Sequence, residues 1–276
     1  MAVDSTGMYV LLAGRRNLGI KNLSDSAEVL KKFPRQSKYE VGAAEWNPHP
    51  QYRELCAISS NQRVEVLSWS KGGLSLTHTL CAHTRVISDL NWHQFDQNLL
   101  ASCSIDTFTH IWDLRDSRRP SISLSTVAGT TQVRWNRLSR FLLATAHDGD
   151  VKLWDQRKGT APVQYITAHL ANIHSLDWSP HNENLITTAS QDCTVKFFDT
   201  TNPRRAENIL TSSAPVWRAR YTPFGNGLLM VVVPPMRRGD NSLLLWNLSN
   251  SSAPVHSFVG HTDVVLEFAW RRIPGG

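Results

Sequence analysis

His83, Asp106 and a serine at 102 or 104 supply the residue types of a hydrolytic triad. In such a triad a carboxylate orients an imidazole, which takes the proton of a hydroxyl nucleophile. The same types return farther along as His169, Asp192 and either Thr188 or Ser190. Histidine and aspartate are 23 residues apart both times, and each aspartate lies six residues before an aromatic-Asp pair, Trp112-Asp113 and Phe198-Asp199. Asp148 keeps the six-residue step to Trp154, with no histidine at the matching place. A catalytic triad occurs once, whereas a network that holds a fold together recurs with the fold's own period, so the repetition argues for structure. Other chemistry is thin. His174 and His181 lack metal-ligand spacing, and the four cysteines (Cys56, Cys81, Cys103, Cys193) contain no CxxC pair. There is no GxSxG, Walker or GxGxxG motif. No catalytic residue, metal, cofactor or small-molecule substrate is expected, and the chain reads as a non-enzyme.

The elements that position these residues must themselves repeat. Apolar runs ending in Trp-Asp or a near relative recur at Trp69-Ser70, Trp112-Asp113, Trp154-Asp155, Phe198-Asp199 and Trp246-Asn247, in steps of 43, 42, 44 and 48. A second landmark, an aromatic closing an apolar run, recurs at Trp46, Trp92, Trp135, Trp178, Tyr221 and Trp270, in steps of 46, 43, 43, 43 and 49. Between them each unit reads as strands: VISDLNW, LLASCS, FTHIWDL and SISLSTV in one unit, bounded by turn residues and without a helical period. Four short antiparallel strands make a blade that cannot bury both faces alone, so neighbours must stack. The expectation is an all-β propeller, residues 1–276 forming one domain.

Counting strands from these landmarks leaves both ends short. Lys21 occupies the place of the third-strand Trp in a first blade, and first-strand aromatics precede that place by 20, 19 and 20 residues in later blades. The first inner strand should therefore end near residue 1, with most of it upstream. Gly260-His261 announces a seventh blade, of which only an inner strand closed by Trp270 fits. The expected layout is seven-bladed, with a partial first blade at about 1–35, blades two to six at about 36–258, and the start of a seventh at about 259–276. Such a chain would be a fragment, or a mispredicted gene model, of a longer protein.

At 276 residues, 41% hydrophobic and 19% charged, the chain can bury a core without disulfides. The scattered cysteines fit a reducing cytosol. The apolar stretch Met8–Ala13 runs into Arg15 and Arg16, the wrong flank for a signal segment, and no stretch approaches the ~20 apolar residues that span a bilayer. Membrane association would come only through partners.

The spacing of Ala82-His83, Asp106 and Trp112-Asp113 resembles the WD40 repeat family. That resemblance implies a hydrogen-bonded chain of turn Asp, loop His, strand Ser or Thr, and Trp indole. It would use His83, Ser102, Asp106 and Trp112 in the third blade, Asp148 and Trp154 in the fourth, and His169, Ser190 (or Thr188) and Asp192 in the fifth. A buried imidazole or indole N–H without a partner costs on the order of 1–3 kcal/mol. More narrowly, HTRVISDLNW (83–92), AHDGDVKLWDQRK (146–158), AHLANIHSLDW (168–178), PVWRARYTPFGNGL (215–228), DNSLLLWN (240–247) and GHTDVVLEFAWR (260–271) resemble the WD repeat-containing protein 59 family. RQSK (35–38), SSNQRVEV (59–66) and the VPPMRRGDN loop add to the likeness.

This resemblance implies a scaffold subunit of the SEA complex, also called the second GATOR complex. Its implied place is the cytoplasm, recruited to the lysosomal or vacuolar surface, where it promotes amino-acid-dependent target-of-rapamycin complex 1 signalling. Implied partners are other WD-repeat and nucleoporin-like propeller subunits, and the Rag GTPase-activating complex that it opposes. The family's RWD and zinc-binding regions have no counterpart in these residues.

Strand order puts first-to-second and third-to-fourth loops at one end of the blades. Arg118, Arg119, Arg137, Arg140, Arg157, Lys158, Arg204 and Arg205 fall on such loops and carry much of the +6 net charge. They read as a rim for an acidic partner or an anionic lipid surface, or else as a solvated face. Arg237-Arg238, beside two prolines, reads as an exposed turn. No aromatic array interleaves the basic pairs, so nucleic acid is not expected. An alternative comes from Trp112-Asp113-Leu114-Arg115 and Trp154-Asp155-Gln156-Arg157, which resemble the WDxR box of cullin-type ubiquitin ligase receptors. The same box also arises in ordinary repeats.

Overall fold

Period-2 alternation gives each segment one apolar face, and a sheet forms where such faces can stack. The computed structural model describes residues 1–25, 27–70, 72–234 and 241–271. Their strands form six antiparallel four-stranded sheets, succeeding one another in chain order as propeller blades. The first holds β1–β4 (Ala2–Val3, Tyr9–Ala13, Asn17–Asn22, Lys31–Pro34). The second holds β5–β8 (Ala44–Trp46, Leu55–Ser60, Arg63–Ser70, Gly73–Cys81). The third holds β9–β12 (Ile87–Trp92, Leu99–Ser104, Phe108–Asp113, Ile122–Ser125).

The fourth sheet comprises β13–β16 (Gln132–Trp135, Leu142–His147, Asp150–Asp155, Gln164–Thr167). β17–β20 (Ile173–Trp178, Leu185–Ser190, Thr194–Asp199, Asn208–Thr211) make the fifth. β21–β24 (Val216–Tyr221, Gly227–Val232, Leu243–Asn247, His256–Phe258) make the sixth. Helix among the described residues is confined to three single 3₁₀ turns, Pro50–Tyr52, Leu114–Asp116 and Gln156–Lys158.

The blade count differs from the seven expected: the described residues form six, each with four strands. The first is complete because Ala2 and Val3 pair with Leu11 and Val10, giving it a two-residue inner strand. At the other end, the described residues after Phe258 form no strand, Trp270 included. An inner strand draws its ladder from the second strand of its own blade, and without one the backbone groups must bond elsewhere. Arg271 instead extends its guanidinium to the Gly7 carbonyl (2.8 Å) and to Ser24 Oγ (2.8 Å).

Contacts divide the chain into two compact units, Met1–Trp135 with the described residues from Ala269, and Asn136–Phe268. In the first, one core packs Leu11, Ile20, Trp46 and Ile58 between the first two sheets, and another packs Val64, Leu80, Trp92 and Trp112 between the second and third. In the second, Leu153, Ile166, Leu176 and Trp178 join the fourth and fifth sheets, while Phe197, Tyr221, Met230 and Trp246 join the fifth and sixth. Burying a large apolar side chain contributes roughly 1.5–3 kcal/mol, so these seams between sheets are where stability resides. Arg237 and Arg238 lie outside the described residues.

Candidate functional site in the blade networks and basic loops

Strand register decides which hydroxyl meets which indole. In the third sheet Leu100 is opposite Trp112, so Ser102, two residues on, shares their face. Trp112 Nε1 donates to Ser102 Oγ at 2.9 Å, and Ser102 Oγ is 2.8 Å from His83 Nε2. His83 Nδ1 is 2.9 Å from Asp106 Oδ2, which also accepts the Thr84 N–H. Burial holds His83 below the usual histidine range, against the pull of Asp106. The neutral ring then donates from Nδ1 to the carboxylate and accepts the serine proton at Nε2. Burial alone would raise Asp106, but N–H donors from Phe108 and Thr84 and the His83 contact outweigh it and lower the carboxyl. This is the polarity of a hydrolytic triad, yet Ser102 is fully buried and Trp112 already fills its acceptor side. The arrangement braces a blade.

In the fifth sheet Ile186 is opposite Phe198, which makes Thr188 the same-face hydroxyl. His169 Nε2 lies 2.8 Å from Thr188 Oγ1, and its Nδ1 lies 2.8 Å from Asp192 Oδ2. Ser190, named from the sequence, is one step too far along: it donates to the Ala171 carbonyl and accepts the Asp192 N–H, both at 3.3 Å. Phe198 has no side-chain N–H, and the threonine hydroxyl lies instead 3.4 Å from the Lys196 carbonyl.

The fourth sheet fills the histidine position in a way the spacing did not suggest. Trp154 Nε1 donates to Thr145 Oγ1 at 2.8 Å, and Thr145 Oγ1 lies 2.7 Å from His147 Nε2. His147 sits on the same strand, β14, two residues beyond the threonine and therefore on the same face. Asp148 stands beside it at φ 46°, its carbonyl accepting the Ile173 N–H. In the sixth sheet no described residue accepts the buried Trp246 indole N–H.

Sequence reasoning missed a second recurring device. Glu45 accepts the Trp92 N–H (2.5 Å) and an Asn91 Nδ2–H (2.7 Å), Asn91 Oδ1 accepts the Trp135 N–H (2.7 Å), and Asp177 accepts the Tyr221 N–H (3.0 Å). Each clasp joins the residue just before one inner-strand aromatic to the backbone of the next aromatic. A polar residue at that place, as in Glu45-Trp46, Asn91-Trp92 and Asp177-Trp178, was the available signal. Burial pushes Glu45 up to about 7, against the pull of Arg134 and the Trp92 N–H.

The basic residues do not form one class. Arg137 makes two bonds, 2.8 and 2.9 Å, to the buried Asp177. Arg118 pairs with Asp116, and Arg157 with Asp155 while lying over the Phe141 ring. Arg115 likewise turns back on Asp113, and both WDxR arginines also have their N–H groups capped by those aspartates. Arg140 stands on the exposed loop before β14. Arg119 and Lys158 stay on their loops with no ion pair among the described residues. Arg204 and Arg205 border a groove of about 450 Å³ beside β19 and β20.

Among known proteins, the family described as WD domain, G-beta repeat matches residues 74–113, 123–155 and 160–199. The chain is 54% identical over 273 residues, 98% of its length, to the GATOR2 complex protein Wdr59 of Drosophila melanogaster. It is 52% identical over 272 residues, 99% of its length, to the GATOR2 complex protein WDR59 of Homo sapiens. The chain spans 28% of the length of each of these relatives. A chain in the crystal structure of a mitotic checkpoint complex superposes with a TM-score of 0.81 at 19% identity, over 96% of this chain and 78% of that one, which establishes a shared fold.

Proposed function

Because the chain carries WD40 repeats and is homologous to the WDR59 proteins of fly and human, we propose that it is a non-enzymatic scaffold within a GATOR2-type (SEA) complex. Identity of 54% along 98% of the chain is the observation that carries this reading. Generic propeller features do not produce such identity, as 19% with a superposable chain illustrates. The networks support the non-enzymatic part. Residue types able to do acyl-transfer chemistry are buried and committed to bracing blades.

On this reading the partners are other WD-repeat and nucleoporin-like propeller subunits, together with the Rag GTPase-activating complex that the assembly opposes. The chain is cytoplasmic, reaches the lysosomal or vacuolar membrane through those partners, and promotes amino-acid-dependent target-of-rapamycin complex 1 signalling. In the second unit, the basic loops that carry Arg140 and Lys158, with Arg204 and Arg205, offer acidic partners a rim. The cullin-adaptor alternative has no comparable support, since its two arginines are turned onto Asp113 and Asp155.

Affinity capture of the tagged chain from cells, with an unrelated tagged propeller as control, tests the proposal. GATOR2 subunits should be recovered specifically. Recovery of a cullin adaptor in their place, or of neither, would overturn it.

A further inference from the structure

We propose that the groove beside the fifth sheet docks an acidic peptide segment that also carries an aliphatic side chain. The groove, about 450 Å³, is bordered by Thr167 at the end of β16 and the following Ala168, by Lys196 and Phe198 of β19, and by the segment 204–209. Three cations face it, Lys196, Arg204 and Arg205, against one carboxylate, Glu207. The Lys196 ammonium is fixed by donation to the Ala168 carbonyl at 2.8 Å, so one positive charge is held in place before any ligand arrives. Arg204 and Arg205 are exposed, and neither has an ion-pair or hydrogen-bond partner among the described residues.

This sets the pair apart from Arg118, Arg137 and Arg157, each of which already faces an aspartate. Their forks are available to grip carboxylates bidentately. Beside the cations, among Thr167 and Asn208, the accessible apolar lining is Ala206 and Ile209, the last 51% exposed, above the buried Ala168 and Phe198. A bare inorganic anion leaves those walls unused, and a membrane surface is too flat to enter a groove. A short peptide with carboxylates beside an aliphatic group uses both. The proposal rests only on the reading that this chain acts by offering surfaces, not on membership of a particular complex.

A phage-displayed peptide library selected on the purified chain tests it, with the Arg204→Glu/Arg205→Glu variant carried in parallel. Selected peptides should hold two or more acidic residues with an aliphatic one, and a synthetic copy should bind the variant at least about tenfold more weakly, a difference near 1.4 kcal/mol. Added salt should weaken binding to the parent chain, and an Arg118→Glu/Arg119→Glu variant, made outside the groove, should bind like the parent.

Selection without acidic bias, equal binding by the R204E/R205E variant, or binding of phosphatidylserine vesicles or inorganic phosphate in place of peptides would overturn the proposal. Affinity capture separates this from the scaffold reading. A chain that binds the peptide but recovers no GATOR2 subunit keeps the groove and loses complex membership, whereas the reverse outcome loses the groove alone.

Discussion

Thr145 Oγ1 lies 2.7 Å from His147 Nε2 within a single strand, while accepting the Trp154 indole N–H at 2.8 Å. The third and fifth sheets bring their histidines to the hydroxyl from 19 residues upstream, His83 to Ser102 and His169 to Thr188. One hydrogen-bonding requirement is thus met by two different routes, and both groups stay buried. Thr145→Val keeps the shape and removes the hydroxyl, orphaning an indole N–H and a ring nitrogen together. The expected loss is about 1–3 kcal/mol for each unsatisfied group. Urea unfolding of the variant measures it, and a midpoint equal to that of the parent chain would dismiss the network as decoration.

The fifth sheet offers a sharper comparison. Register makes Thr188, two residues beyond Ile186 and on the same face, the partner of His169, and leaves Ser190 among backbone groups. Thr188→Val should therefore move the His169 ring resonances in an NMR spectrum and lower stability by about 1–3 kcal/mol. Ser190→Ala should leave those resonances in place. If Ser190→Ala moved them and Thr188→Val did not, the assignment of the hydroxyl would be reversed.

Much of this was legible in advance because aromatic residues close strands at fixed offsets. β5, β9, β13, β17 and β21 end on Trp46, Trp92, Trp135, Trp178 and Tyr221, the landmarks of the inner comb. What the landmarks could not convey is whether a strand has a partner. Trp270 carries the same signal as the others, but among the described residues no second strand pairs with it and the segment is not a strand. Ala2 and Val3 carry little signal, yet β2 is there to pair with them.

The site was less legible, for a related reason. His147 lies outside the loop position that the spacing marks for a histidine, although a Thr-x-His step puts both side chains on one face of a strand. The clasps made by Glu45, Asn91 and Asp177 join residues 44 to 47 apart, where no local pattern fixes the distance. The neutralised arginines were readable: Asp-x-Arg recurs at Asp113-Arg115, Asp116-Arg118 and Asp155-Arg157, and each forms its pair.

Two groups in the first unit should pull stability in opposite directions with pH. Burial beside His83 lowers His110 from 6.5 to about 4, so as pH falls the unfolded chain takes up that proton first. Its contribution is full above pH 6.5 and is lost on descending toward 4, a change of roughly 3 kcal/mol. Glu45 is raised from 4.5 to about 7, so the folded chain holds that proton longer. Its contribution is full below pH 4.5 and is lost as pH rises toward 7. Over the shared window the two slopes oppose each other. Relative to the parent, His110→Asn should make stability fall more steeply with rising pH, and Glu45→Gln should make it rise. Parallel curves for all three proteins would refute both assignments.

Gly149 permits the closest backbone approach in the second unit. A Cβ there would stand 2.1 Å from the His169 carbonyl oxygen and 3.0 Å from its carbon, and backbone at both points cannot swing aside like a side-chain tip. The Gly149 carbonyl meanwhile accepts the Ala168 and His169 N–H groups at 3.0 and 2.9 Å. Gly149→Ala must therefore displace residues 168–171, stretching those bonds and drawing His169 away from Thr188 and Asp192. Overpacking against rigid backbone costs about 1–3 kcal/mol before the network is counted. Gly159→Ala is the control: its φ of +86° strains any side chain, but nothing lies within 4 Å. Only conformational strain remains there, roughly 1–3 kcal/mol, since ψ of −152° puts the residue where glycine alone sits readily. Urea midpoints should rank Gly149→Ala well below Gly159→Ala, with shifted His169 resonances in the first alone. Equal midpoints with an undisturbed His169 would mean that the turn yields freely and that the histidine is not held where it stands by the backbone beside it.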